Sequence, residues 1–174
     1  IPKYATQNAV DYAKAGGGKA LVDQFAATFG DIFDSSIHPI TDVIGEGKIA
    51  IGGIDFVIKQ TGEAFDVEIP EINAVYTHML GHSCHSIVAG AQHADAMIAQ
   101  LKDYIARGID LILTSHSTPE DLKDADTKIA YLESLKTIAR DCSNAEDFKE
   151  AVRKRYPDYS GENYLDMTAG FFFA

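Results

Sequence analysis

The amino-acid sequence predicts an α/β fold, a layered domain in which a mixed sheet carries helices. Three observations lead there. Helical apolar stripes open the chain, strand-like runs fill residues 48–79, and helical stripes then return. The stretch "KIAIGGIDFVIKQ" reads as two β-runs around Gly52-Gly53, the signature of a hairpin. "IDLILTSH", set between two helical segments, is short and almost continuously apolar, as a buried strand is. With 174 residues, 46% hydrophobic and 10% aromatic, the chain has the material for one core. No linker or repeat divides it, so residues 1–174 are expected to form a single domain.

Each element has its own signal. Residues 6–15 ("TQNAVDYAKA") predict a short helix with Thr6 as N-cap and Gly16–Gly18 as its stop. Residues 19–29 carry Leu21, Val22, Phe25, Ala26 and Phe29 on a helical stripe. "DSSIHPITDVIGEG" is a loop with a short strand in it. After the hairpin, "AFDVEIP" alternates Phe65, Val67 and Ile69 and stops at Pro70, which cannot donate to a ladder. "INAVYTHM" follows a short turn as the next strand. Residues 92–107 predict a helix with Met97, Ile98, Leu101 and Ile105 on one face and Gly108 as terminator. Beyond the buried strand, Ser117 or Thr118 is expected to cap a long helix, with Pro119 near its first position. Glu120 and Asp121 then suit its positive end, and its stripe is Leu122, Ala125, Ile129, Leu132, Leu135 and Ile138. "SNAE" at 143–146 reads as a capping box that opens a last helix to about Tyr156. The apolar tail "FFFA" needs a partner surface.

Charge and cysteine usage remove several classes of function. A net charge of −11 argues against nucleic acid or an anionic membrane as partner, because both demand clustered Lys and Arg. Two cysteines, Cys84 and Cys142, make no disulfide framework. No apolar run approaches the ~20 residues of a membrane helix. No signal peptide is visible, and the chain starts at Ile1 without an initiator Met. The compartment therefore stays open, with the cytoplasm as default.

Candidate functional residues collect at strand ends, where ligand sites of layered α/β proteins form. His116 follows "LILTS" at the carboxyl end of the buried strand, His78 sits late in the strand "AVYT", and Glu63 lies in the "QTGEAF" turn. Imidazole and carboxylate together suit zinc, iron or manganese. Each also has a plainer reading, as a hydrogen-bonded structural histidine or a solvated charge. His78, His82 and His85 are spaced i, i+4, i+7, which on a helix would give one face, but Gly81 and the preceding β-run favour strand, then loop, then a helix from about Ser86 or Gly90. Cys84 stands beside two of these histidines without a Cys-x-x-Cys partner.

The order running from "GKIAIGGIDFVIKQTGEAFDVEIPEINAVYTHMLGH" through "LILTSHSTPED" to "TKIAYLESLK" resembles the C-terminal half of a metallo-β-lactamase-fold hydrolase. "TGEAFDVEIPEINAV" and "HSCHSI" look most like the alkylsulfatase branch. The resemblance covers roughly residues 1–140 and implies half of an αββα sandwich. It implies metal ligands at Glu63, His78 and His116, with Met79 replacing His78 in a shifted alignment, and substrate or neighbouring contacts at His82 and His85. Zinc or another divalent transition metal would be the cofactor, and the substrate a small molecule with an ester, lactone or sulfate-ester bond. Two departures stand out. His78 occupies the place of a bridging carboxylate, and imidazole offers a metal only one nitrogen. The His-x-His-x-Asp-His signature of the family occurs nowhere in the chain. The expectation is thus a C-terminal part whose N-terminal half is missing, or a catalytically silent protein that binds a metal or a partner or forms homo-oligomers.

Overall fold

The computed structural model describes residues 2–35, 40–62, 64–78 and 81–173, in two units, residues 1–71 and 72–174. Glu63, Met79 and the loop histidine His38 lie outside the described residues.

In the first unit, β1 (Tyr4–Thr6) leads directly into α1 (Gln7–Ala15), and α2 (Gly17–Phe29) follows after one residue. Thr6 stands at the N-cap of α1 as expected, but its side chain makes no capping bond. The glycine run does not stop a helix over three residues. Gly16 alone separates α1 from α2, and Gly17 and Gly18 begin α2. Their missing side chains have a use: a Cβ on Gly17 would lie 2.7 Å from the Tyr12 hydroxyl and one on Gly18 2.8 Å from its ring, so the aromatic ring lies on bare backbone. β1 pairs in parallel with β2 (Asp42–Ile44). β3 (Gly47–Ile51) and β4 (Ile54–Gln60) form the expected hairpin, with Ile51 opposite Ile54. Gly52 and Gly53 both have positive φ, 62° and 85°, as a two-residue turn of this hand requires. β5 (Phe65–Ile69) is antiparallel to β4. Its residues are all half-buried, so the sequence alternation does not become one wet and one dry face.

The second unit is a β-α-β crossover with three more helices. β6 (Ala74–Thr77), α3 (Gly90–Arg107) and β7 (Leu111–Thr114) come in that order, and β6 and β7 are parallel and level, Ala74 opposite Leu111 and Thr77 opposite Thr114. Asn73, at φ 47°, ties the start of this unit together: its Nδ2 donates to Gly108 O at 2.7 Å and to Asp110 Oδ2 at 3.0 Å. Gly108 ends α3 in the left-handed conformation, as its position predicts.

Three sequence expectations for the last third are corrected. α4 (Leu122–Asp141) is capped by Asp121, not by Ser117 or Thr118; its carboxylate accepts from the Lys123 and Asp124 amides, and the Asp124 carboxylate in turn accepts from the Asp121 amide. The two-sided cap closes further along the chain because Glu120 is held in an isolated bridge to Ile112. α5 (Ala145–Arg155) is capped by Asn144 with Asp147 as reciprocal partner, one residue beyond the "SNAE" register. It is not the last helix. α6 (Glu162–Phe172) follows, and its end covers the tail: Phe172 and Phe173 both pack on the Phe148 ring, at 5.5 and 5.7 Å. The core of this unit gathers Val75, Ile98, Leu101, Ile112, Leu132, Leu135, Phe148, Val152 and Leu165.

Candidate functional site

Level parallel strands set the first group of side chains. Because β6 and β7 end together, the residues that follow them are neighbours. The His78 Nδ1 and the Ser115 hydroxyl lie 2.8 Å apart, and Ser115 also bonds the Tyr76 hydroxyl at 2.6 Å. The His78 and His116 rings meet edge to face with centroids 5.1 Å apart. Two of the three residues expected to bind metal are thus brought together, and the third, Glu63, lies outside the described residues. Among the described residues no group of three or more His, Cys, Asp or Glu side chains converges as a metal site. The described donors at this end are two imidazoles, short of the three or four of a zinc site.

A second group is built around the segment 81–89. Here the chain has left β6 and has not yet entered α3, so its amides and carbonyls need partners from elsewhere. α4 supplies them on one side. The Lys128 ammonium, fully buried, donates to Gly81 O at 2.7 Å and Cys84 O at 2.8 Å, and lies 4.8 Å from the centre of the Tyr131 ring. Burial pushes its pKa down to about 8, against the opposing pull of Cys84 and Glu120. α6 and the turn before it supply the rest. The His85 amide donates to Ser160 O at 2.8 Å, and the Thr168 hydroxyl donates to Ser86 O at 2.7 Å while accepting from the Val88 amide at 2.8 Å.

The two histidines of this segment differ sharply. His85 is fully buried, with Nδ1 2.8 Å from the Tyr131 hydroxyl and rings of Tyr131 and Tyr159 beside it. Burial lowers its pKa, which Glu162, 4.0 Å from Nε2, partly offsets. Burial also raises the pKa of Tyr131, so the phenol stays a phenol across the physiological range. His82 is 32% exposed, and its Nδ1 sits 2.9 Å from Glu120 Oε1 and 3.6 Å from Asp124 Oδ1. The Cys84 thiol donates to Gly81 O, with Sγ 3.6 Å away. His93 accepts the Ala89 amide at its Nδ1, 2.9 Å away, at the entrance to α3.

Glu120 and Lys128 were not found by sequence reasoning. Glu120 read as a carboxylate at a helix start, and Lys128 sat between the apolar stripe positions of α4. Neither position carried a local signal: a carboxylate directly after Pro119 fits a helix start, and a lysine beside a stripe position fits a solvated flank.

No family model matches the chain, and no curated protein does. Solved structures do. A double mutant of the sec-alkyl sulfatase PisA1 aligns at 10% identity with a TM-score of 0.58, over 97% of this chain and 36% of its own. The stereoselective inverting sec-alkylsulfatase Pisa1 from Pseudomonas sp. aligns at 11% identity with a TM-score of 0.55, over 99% of this chain and 33% of its own. A metallo-beta-lactamase family protein from Thermus thermophilus aligns at 9% identity with a TM-score of 0.54, over 99% of this chain and 64% of its own. The chain has a metallo-β-lactamase-type fold. It spans about a third of the length of the two alkylsulfatase structures. Six helices accompany the strands among the described residues, and none is long and apolar enough to cross a membrane.

Proposed function

We propose that this chain is the C-terminal part of a metal-dependent hydrolase of ester, lactone or sulfate-ester bonds. One observation carries the reading: parallel register sets His78 and His116 side by side at the ends of β6 and β7. The metallo-β-lactamase-type fold supports it, and the alkylsulfatases among the fold's neighbours favour a sulfate ester. Glu63 is the proposed third donor, which would complete the minimum for zinc or another divalent transition metal. A metal held there supplies Lewis-acid polarisation and an activated water near neutral pH. The chain's own contribution on the substrate side is His82, which reaches solvent. Fully buried His85 holds the segment behind it through Tyr131.

Zinc uptake tests this directly. Dialysis against zinc followed by elemental analysis is expected to give about one ion per chain. His116→Ala, His78→Ala and Glu63→Ala should each lower occupancy at least tenfold at limiting zinc. Equal zinc content in all four proteins would overturn the assignment.

A second reading, a catalytically silent chain that binds a partner or self-associates, is favoured by one feature. α2 and the turn after it leave Leu21, Phe29 and Ile32 exposed, Ile32 at 92%. Sedimentation that finds only monomer at high concentration, together with zinc-dependent hydrolysis of an alkyl sulfate or carboxylate ester that is lost in His116→Ala, would decide for the hydrolase reading. Zinc uptake without hydrolysis would decide for a silent metal-binding chain.

A further inference from the structure

His82 and Glu120 meet in a way the metal reading does not use. Glu120 is fixed first by its backbone: Ile112 N donates to Glu120 O and Glu120 N to Ile112 O, both at 2.8 Å, against a fully buried residue of β7. Its carboxylate has no exposed surface. Oε1 meets one residue twice: it accepts from the His82 amide at 2.8 Å and lies 2.9 Å from His82 Nδ1. Oε2 is buried without a hydrogen-bond partner among the described residues. Asp124, in the first turn of α4, brings a second carboxylate oxygen to 3.6 Å of the same Nδ1. Among the described residues, the polar contacts of the imidazole are thus made at Nδ1, while the side chain keeps 32% of its surface in solvent.

The chemistry of this arrangement is narrow. A carboxylate in its ionised form only accepts; facing such a group, Nδ1 carries the proton and the lone pair of the neutral ring is at Nε2. We propose that Glu120 and His82 form a proton-transfer dyad, in which buried Glu120 is a positioning residue that fixes the Nδ1–H tautomer and His82 Nε2 is the proton acceptor. In the step this permits, the Nε2 lone pair takes the proton of a water or substrate hydroxyl, whose oxygen keeps the O–H electron pair. The ring becomes imidazolium beside Glu120 and Asp124, and the freed oxygen bonds to the carbon or sulfur of an ester or sulfate ester. The bond from that atom to the leaving oxygen breaks with its electron pair on that oxygen, and the imidazolium returns the proton there. Only the identity of that substrate rests on the hydrolase reading.

The experiment is nitrogen-15 NMR of the full chain, with the His82 ring signals assigned by their loss in His82→Gln. The expected result at a pH where the ring is neutral is a protonated Nδ1 and a bare Nε2. Glu120→Ala should shift the ring toward the Nε2–H form. Glu120→Gln, whose amide oxygen can still accept, should keep the Nδ1–H form, and Asp124→Asn should leave it unchanged. An Nε2–H ring in the parent chain overturns the dyad, and this reading needs no variant to fold. An unchanged tautomer in Glu120→Ala overturns the role of Glu120. Failure is separable from that of the hydrolase reading: lost zinc uptake with an intact Nδ1–H ring removes the metal assignment alone, and an Nε2–H ring with intact zinc uptake removes the dyad alone.

Discussion

Residues 1–71 and residues 72–174 use apolar side chains in opposite ways. In the second unit, Ile112, Leu132, Leu135, Phe148, Val152 and Leu165 have no exposed surface. In the first, the buried hydrophobic residues among those described are Ala5, Val10 and Ile58, while Leu21, Phe25, Phe29, Ile32, Val43 and Ile54 stand exposed. Both stretches show clean helical or strand periodicity. The contrast teaches that an apolar stripe records that a face is meant to be covered, not that this chain covers it. The polar groups follow the same division. The second unit carries a buried ammonium and a buried carboxylate, each with specific partners, whereas the ion pairs of the first, such as Lys19–Asp23, lie at the surface.

The largest test of that contrast is core truncation. Leu132→Ala should cost about 2–5 kcal/mol, the range for emptying a filled core site. Phe25→Ala, which loses ring contacts with Phe29 and Phe33 at a partly exposed position, should cost under about 1 kcal/mol. Urea unfolding of both variants measures this, and equal losses would erase the distinction.

Next in size is the buried ammonium. From pH 8 to pH 10.5 the unfolded chain holds the Lys128 proton while the folded chain has released it, so this group makes stability rise with pH in that window. Below about pH 8 both states are protonated and the cost of burial is constant. The whole shift corresponds to roughly 3 kcal/mol. Tyr131 acts in the opposite sense above pH 10, where only the unfolded phenol ionises, so the comparison is best made between pH 8 and 10. Lys128→Met should flatten the rise in that interval. A slope unchanged by the substitution would mean that Lys128 titrates normally.

The smallest effect concerns helix starts. Asp121→Ala removes a two-sided cap in the second unit and should cost about 1 kcal/mol in thermal or chemical unfolding. Thr6→Ala removes a fully buried methyl but also a buried hydroxyl that makes no capping bond and has no hydrogen-bond partner among the described residues, so the two effects oppose and the net loss should stay below that of Asp121→Ala. A larger loss at Thr6 than at Asp121 would reverse the comparison.

Some of the site could be read before any coordinates. His78 and His116 follow apolar β-runs, and the end of such a run is where a layered fold presents its ligand groups. The glycine pair announced the hairpin because a two-residue turn needs positive φ twice. α6 was not legible. Its N-cap is Gly161 in the left-handed conformation, with no side-chain cap to mark the start, and it is stabilised by what its apolar face meets. Glu120 was misread for a related reason. A carboxylate after Pro119 fits a helix start, and only the Glu120–Ile112 bridge moves the cap to Asp121 and turns Glu120 inward.

The sequence alone determined the period of each segment, the strand-end histidines and the fold class, because these depend on local spacing and on the two geometries that spacing can serve. Tertiary structure decided which polar groups went inside. Lys128 is buried because an open segment offers it two carbonyls, and Glu120 because His82 meets its Oε1 with both the backbone amide and the ring Nδ1. A buried charge is tolerated only where partners arrive from distant parts of the chain, and that convergence is not written in any local pattern.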